Sequence, residues 1–242
     1  MAAQKKAETP GSNDAGVADD LEDLRHAILE EIRMEAVFDG WTPQSLKRAS
    51  FAAGMSQEEW SRGDLYRAFP DGIADVLTFW SEQTDLQMAE DYENADPAPQ
   101  RIRDKVTWLV RRRLELLDEH REAARRAAAT LALPPYANVA RRLTWATSDA
   151  IWRALGDTST DYNYYTKRTI LSGVWLSTFS KWLAEEELEG DNAYAATWAF
   201  LDDRIGNVMQ FEKVKSKVLK AVPDSSKLFG FLGKARYGGG SK

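Results

Sequence analysis

Apolar positions recur at intervals of three and four along most of this chain, the spacing that lines up one face of an α-helix. Leu21, Leu24, Ile28, Ile32 and Ala36 form the first stripe, opened by Asp19 or Asp20 as a cap and closed at Asp39-Gly40. Pro43 suits a first helical turn, so a short helix is predicted to about Ala53, with Gly54 as its breaker. Ser56-Gln57-Glu58-Glu59 is a capping box for a third helix ending near Phe69-Pro70. Asp71 caps a longer helix that carries Ile73, Val76, Leu77 and Trp80. Residues 94–100 (NADPAPQ) read as a loop, after which Ile102, Val106, Leu109, Val110, Leu114 and Leu117 define another helix. Helix-favouring Ala and Arg fill 121–133 up to Pro134-Pro135. Two long helices follow, over about 138–155 and 160–189, and a last one begins near Ala193 with Trp198, Leu201, Ile205, Val208 and Met209. The pattern predicts an all-α fold of about nine or ten helices.

Residues 1–18 are small, polar and aperiodic, which predicts a disordered arm. Beyond it the chain divides into a helix-turn-helix-like part (19–70), a larger helical part (71–210) and a basic tail (211–242). With 242 residues, 43% of them hydrophobic, it can bury one large core or two small ones. The absence of Cys excludes disulfides, thiol catalysis and thiolate metal sites, and a reducing, cytoplasmic compartment fits. Only His26 and His120 can supply imidazole. No apolar run approaches the ~20 residues that span a bilayer, and the N-terminus lacks a secretory signal pattern. There is no Glu-x-x-His pair, Gly-rich phosphate loop or G-x-S-x-G elbow, so no catalytic residue, metal or cofactor is expected.

Three N-terminal helices of about 20, 10 and 13 residues followed by a long one resemble the layout of TetR-type regulators. Ile28-Leu29, Phe38, Gly40-Trp41-Thr42, Ala49, Ala53-Gly54-Met55-Ser56 and Leu65-Tyr66-Arg67-Ala68-Phe69-Pro70 carry that resemblance. A DNA-reading helix presents basic and amide groups to the groove and the phosphates. Here the corresponding element, SQEEWSRGDLYRAF, sets Glu58, Glu59 and Asp64 against Arg62 and Arg67. Acids facing a polyanion weaken binding, so a structural helix-turn-helix is expected, with a DNA-binding regulator as the alternative.

The stretch 156–168, GDTSTDYNYYTKR, concentrates hydroxyls, carboxylates, tyrosines and basic groups between two apolar runs. Thr158 to Asp161 can cap the helix that follows, with an acid at its positive end. Within that helix Asp161, Tyr164, Tyr165 and Arg168 fall at i, i+3, i+4 and i+7, one stripe with the chemistry of an interface hot spot or of an internal Tyr/Arg packing cluster. Asp157 and Asp161 are paired carboxylates with no His beside them in sequence.

Ile151-Trp152, Gly156-Asp157, Ser159-Thr160-Asp161, Tyr165-Thr166-Lys167-Arg168, and later Trp198, Phe200-Leu201 and Arg204, resemble the TetR-like lipid-binding accessory protein family of ubiquinone biosynthesis. The similarity spans about residues 22–210, and Tyr164 departs from it, standing where Trp is common. The resemblance implies a non-catalytic, homodimeric TetR-like protein that holds an isoprenoid quinone or a phospholipid. It further implies attachment to the inner membrane from the cytoplasmic side and binding to the di-iron demethoxyubiquinone hydroxylase. Carried over by motif, the partner-binding patch is Asp149, Ile151, Tyr164, Tyr165 and Arg168. The lipid-binding residues are not identified by motif.

Charge sharpens the picture of the tail. The net charge is −6, yet residues 212–242 hold eight Lys/Arg against two Asp/Glu, a local +6 that leaves −12 on the rest. As a helix, 211–222 sets Phe211, Val214, Val218, Leu219 and Val222 opposite Lys213, Lys217 and Lys220. After Pro223, Lys227, Leu228, Phe229, Phe231, Leu232 and Lys234 place basic groups beside apolar ones, a composition suited to an anionic membrane interface.

Overall fold

A computed structural model of the chain describes the backbone of residues 12–160, 162–186 and 193–221, and side chains over 20–160, 163–186 and 193–208. Among the described residues the fold is all-α, with ten α-helices and no strand. Two compact units divide between residues 186 and 187.

The first helix, α1 (Ser12–Asp39), starts before the Asp19/Asp20 cap that periodicity predicts. Residues 12–18, expected to be disordered, form its first turns; a helix end with no apolar stripe leaves no periodic signal. Residues 1–11 lie outside the described residues. Thr42 caps α2 (Pro43–Ala52), its hydroxyl accepting from the Ser45 N–H at 3.1 Å. Ser56 and Glu59 close the capping box that opens α3 (Gln57–Arg62).

The single third helix expected to run to Phe69 is two. Gly63 takes φ 88°, a left-handed conformation that ends α3, and α4 (Asp64–Ala68) restarts beyond it. The long α5 (Ile73–Glu93) then buries Ile73, Val76, Leu77, Trp80, Thr84 and Met88, one stripe at helical spacing. Trp41 ties the helix-turn-helix to the rest of the first unit. Its ring stacks on Trp80 at 5.3 Å and its indole N–H donates to the Ala123 carbonyl at 3.0 Å. An indole so enclosed combines a large apolar area with a satisfied donor.

The remaining helices of this unit are α6 (Ile102–Asp118), α7 (Arg121–Leu131), α8 (Ala137–Ala154) and α9 (Tyr162–Ala184), with a 3-10 turn (Pro134–Tyr136) before α8. α8 packs against both α5 and α9, and α6 against α5. In the second unit α10 (Ala195–Ala221) is opened by Trp198, whose indole N–H donates to the Ala193 carbonyl. None of the described helices is long and apolar enough to cross a membrane.

Candidate ligand cavity and partner surface

Gly156, at φ 73°, turns the chain out of α8 and delivers Asp157 between the two helices. One Asp157 oxygen accepts from Ser159 Oγ and from Lys167 Nζ, both at 2.7 Å; the other accepts from Arg168 Nη1 at 3.1 Å. The Lys167 ammonium, with Ser159 and Arg168 behind it, holds Asp157 well below the ordinary carboxylate range, against the opposing effect of burial. A carboxylate so committed is the opposite of a general acid. Asp161, its proposed pair, lies outside the described residues.

Arg168 is the centre of this arrangement and is 1% exposed. Its Nε donates to Asp149 Oδ1 at 2.6 Å, Nη1 reaches the Tyr164 carbonyl at 3.3 Å, and its Cζ lies 3.5 Å from the Tyr164 ring centroid. The Tyr164 hydroxyl donates to the same Asp149 oxygen at 3.3 Å, and Arg153 pairs with the other at 2.7 Å. Ile151 is fully buried. Of the five residues carried over as partner-binding, Ile151 and Arg168 therefore sit inside the fold, Asp149 and Tyr164 at its edge, and Tyr165 outside at 61% exposure. The i to i+7 stripe predicted one face, but two carboxylates draw its Arg end inward.

Trp145, which sequence reasoning missed, completes the outer part. Its ring lies 6.3 Å from Tyr164 and 6.2 Å from Tyr165, and the two tyrosines meet edge-on at 5.1 Å. The spacing Trp145–Asp149, i to i+4 on α8, was the available signal. The basic residues of the tail (Lys227, Lys234) and its apolar ones (Leu228, Phe229, Phe231, Leu232) lie outside the described residues.

Between α5, α6, α7, α8 and α9 lies a cavity of about 350 Å³. Its walls are mostly apolar: Leu77 and Trp80 from α5, alanines of α7 such as Ala124 and Ala127, and Trp175 and Phe179 from α9. Alanines on α7 leave room because each stops at Cβ, whereas a leucine there would fill the space. Leu176 also lines it and is half exposed, which sets an opening on α9. The volume lies in the range of small-molecule sites, roughly 300–1,000 Å³.

One charged side chain breaks the apolar lining. Arg113 of α6, buried, donates from Nε to Asp85 Oδ1 at 2.6 Å and from Nη2 to Ser81 Oγ at 2.8 Å. The Thr147 hydroxyl donates to the second Asp85 oxygen at 3.1 Å. Burial pushes the Asp85 carboxyl up, while Arg113 and Thr147 pull against that rise. Both residues interrupt apolar stripes, Asp85 three residues before Met88 and Arg113 three after Val110, and that interruption was legible in the sequence.

The helix-turn-helix offers little free positive charge. Asp64, almost buried, pairs with Arg62 at 2.5 Å and with Arg67 at 3.2 Å, so both arginines of this element face a carboxylate. Among the described residues no group of three or more His, Cys, Asp or Glu is placed to hold a metal ion.

Comparison with known proteins finds a family match in the second half of the chain and relatives that align over most of it. The COQ9 family model matches residues 137–212, which take in α8, the Asp157 connection, α9 and much of α10. A relative from Drosophila melanogaster, "Ubiquinone biosynthesis protein COQ9, mitochondrial", is 24% identical over 217 residues, covering 88% of this chain and 64% of that protein. Relatives of the same name from Rattus norvegicus and Homo sapiens are each 28% identical over 206 residues, covering 81% of this chain and 62% and 61% of theirs. The chain thus spans slightly under two thirds of the length of these relatives.

Proposed function

We propose that this chain, which is similar to the COQ9 family over residues 137–212 and to the relatives named above, acts in ubiquinone biosynthesis as a non-catalytic lipid-binding protein. The cavity between α5 and α9 holds an isoprenoid quinone intermediate or a phospholipid, and the Trp145/Tyr164/Tyr165 surface docks the di-iron demethoxyubiquinone hydroxylase that receives it. The observation that carries this reading is the apolar cavity of about 350 Å³, two of whose five walls, α8 and α9, lie in the stretch that the family model matches. The basic, apolar-bordered tail supports work at an anionic membrane surface, on the cytoplasmic side of the inner membrane. Homodimerisation is part of the same reading, as the resemblance to the ubiquinone-biosynthesis family implies.

The test is direct. The full chain is expressed in a quinone-producing bacterium, purified, and its bound lipids are extracted and identified by mass spectrometry. An isoprenoid quinone or phospholipid in near-stoichiometric amount is expected, together with co-flotation on vesicles containing phosphatidylglycerol. Protein free of any such lipid, and indifferent to the vesicles, overturns the reading.

The DNA-binding alternative draws no support from the geometry, because Arg62 and Arg67 are both engaged by Asp64. A gel shift at low salt, where phosphate contacts count most, should show no retardation.

A further inference from the structure

A purely lipid-filled cavity has no use for a buried ion pair. Taking an arginine and an aspartate out of water is unfavourable unless hydrogen bonds complete both, and apolar replacements of similar volume often match or exceed such a pair in stability. Yet α5 and α6 each place a charged residue on their inner stripe, and the two meet at the cavity wall with N···O 2.6 Å.

We propose that Arg113, backed by Asp85 and Ser81, reads the head of the bound lipid, and that this head is a planar, uncharged ring bearing oxygen acceptors. This rests on the reading of the cavity as a lipid site. Three features of the wall specify the chemistry. Among the described lining residues Arg113 carries the single charge, and Asp85, paired with it, balances that charge. An anionic head such as a phosphodiester would meet a site with no net positive charge, whereas a carbonyl or phenolic oxygen needs only a donor. Donors remain: Asp85 and Ser81 take Nε and Nη2 of a guanidinium that has five N–H groups. The ring has a platform as well. Trp175 lies with its centroid 4.4 Å from the Arg113 Cζ and stacks on Phe179 at 5.3 Å, so an aromatic wall continues from the charged corner along the cavity.

The apolar remainder of the ligand runs along the alanines of α7. A cavity of about 350 Å³ admits a head and the start of a chain, and the half-exposed Leu176 marks where a longer chain leaves. The ion pair is thereby explained as a specificity element: a ligand without oxygen acceptors leaves buried donors unmet, and a site built to bond an oxygen rejects the analogue that lacks it.

The experiment measures displacement of diphenylhexatriene from the full chain by three probes: decylubiquinone, decylbenzene, and lysophosphatidylglycerol below its micelle concentration. Wild type should bind decylubiquinone at least about tenfold more tightly than decylbenzene, the scale of one hydrogen bond to a charged group. Lysophosphatidylglycerol should gain nothing from Arg113. The paired variant D85L/R113M, which leaves no orphaned charge, should keep decylbenzene affinity and lose the preference. Should that variant not fold, R113K, which keeps the pair with Asp85 but not the guanidinium fork, must still reduce the preference. Equal wild-type affinity for decylubiquinone and decylbenzene overturns head reading while leaving the lipid cavity standing. So does a preference that survives in the folded variants, or an Arg113-dependent preference for lysophosphatidylglycerol. Failure of diphenylhexatriene and every other probe to bind removes the cavity reading itself, and this inference with it.

Discussion

The Arg168 guanidinium stacks on the Tyr164 ring 3.5 Å from its centroid, and the two side chains donate to the same oxygen of Asp149. Arg168 also reaches Asp157 across the connection between α8 and α9, so a single buried cation fastens two helices and the turn that joins them. The stacked Tyr164 is thereby held in one orientation, with Trp145 and Tyr165 beside it. The buried pair is framework, and the aromatic group stands at its outer edge.

Removing Arg168 should therefore damage the fold before any interface. Arg168→Ala leaves Asp149 with Arg153 and Asp157 with Lys167, so the loss should lie near about 3 kcal/mol, the lower end for one partner of a buried pair. Urea denaturation followed by far-UV circular dichroism checks this. A change within about 0.5 kcal/mol, the level of an ordinary surface substitution, would mean that Arg168 is not the fastening described.

Tyr165→Ala should behave in the opposite way. The side chain is 61% exposed, so stability should stay within about 0.5 kcal/mol. Capture of the purified di-iron hydroxylase should fall at least about tenfold, as for an aromatic hot spot worth more than 1 kcal/mol. Unchanged capture by the folded variant would remove Tyr165 from the docking surface.

Acid should loosen the α8–α9 connection in a stated direction. Asp157 has a folded pKa depressed below its ordinary carboxylate value, with Lys167 the largest cause. A depressed carboxylate contributes stability that is fully present above its unfolded pKa, about 3.9, and is lost as pH falls through the folded value. Asp157→Asn should thus be less stable than wild type at pH 7, with the gap closing as pH falls below about 4. Thermal melts at pH 7, 5, 4 and 3 measure it; a gap that stays constant across that range excludes Asp157 as the titrating group.

How much of this was legible before the structure depends on what each residue's neighbours are. Stripes such as Ile73, Val76, Leu77 and Trp80 predict their helix and its inner face, because packing there answers to local spacing alone. The break at Gly63 was hidden, since a glycine within a helical pattern reads equally as tolerated or as terminating. At 156–168 the spacing put Arg168 on the same face as Tyr165, whereas Tyr165 is exposed and Arg168 buried. Its actual direction is set by Asp149, nineteen residues away on another helix. The cavity was still less visible. Ala124 and Ala127 read as helix formers, and only their position opposite Trp175 and Phe179 turns small side chains into space.

That space supplies the last prediction. Ala127 is 7% exposed and lines the cavity, so Ala127→Phe points a ring into a volume that is already open rather than into packed atoms. Overpacking a filled core typically costs about 1–3 kcal/mol; here the loss should fall below about 1 kcal/mol, since the ring gains apolar contacts that the cavity now lacks. Occupancy by lipid should drop several-fold, read as the ratio of extracted isoprenoid or phospholipid to protein by mass spectrometry. Capture of the hydroxylase through Tyr165 should persist, because Trp145, Tyr164 and Tyr165 are not among the residues that line the cavity. Full lipid occupancy in a folded Ala127→Phe protein would place the lipid somewhere other than between α5 and α9.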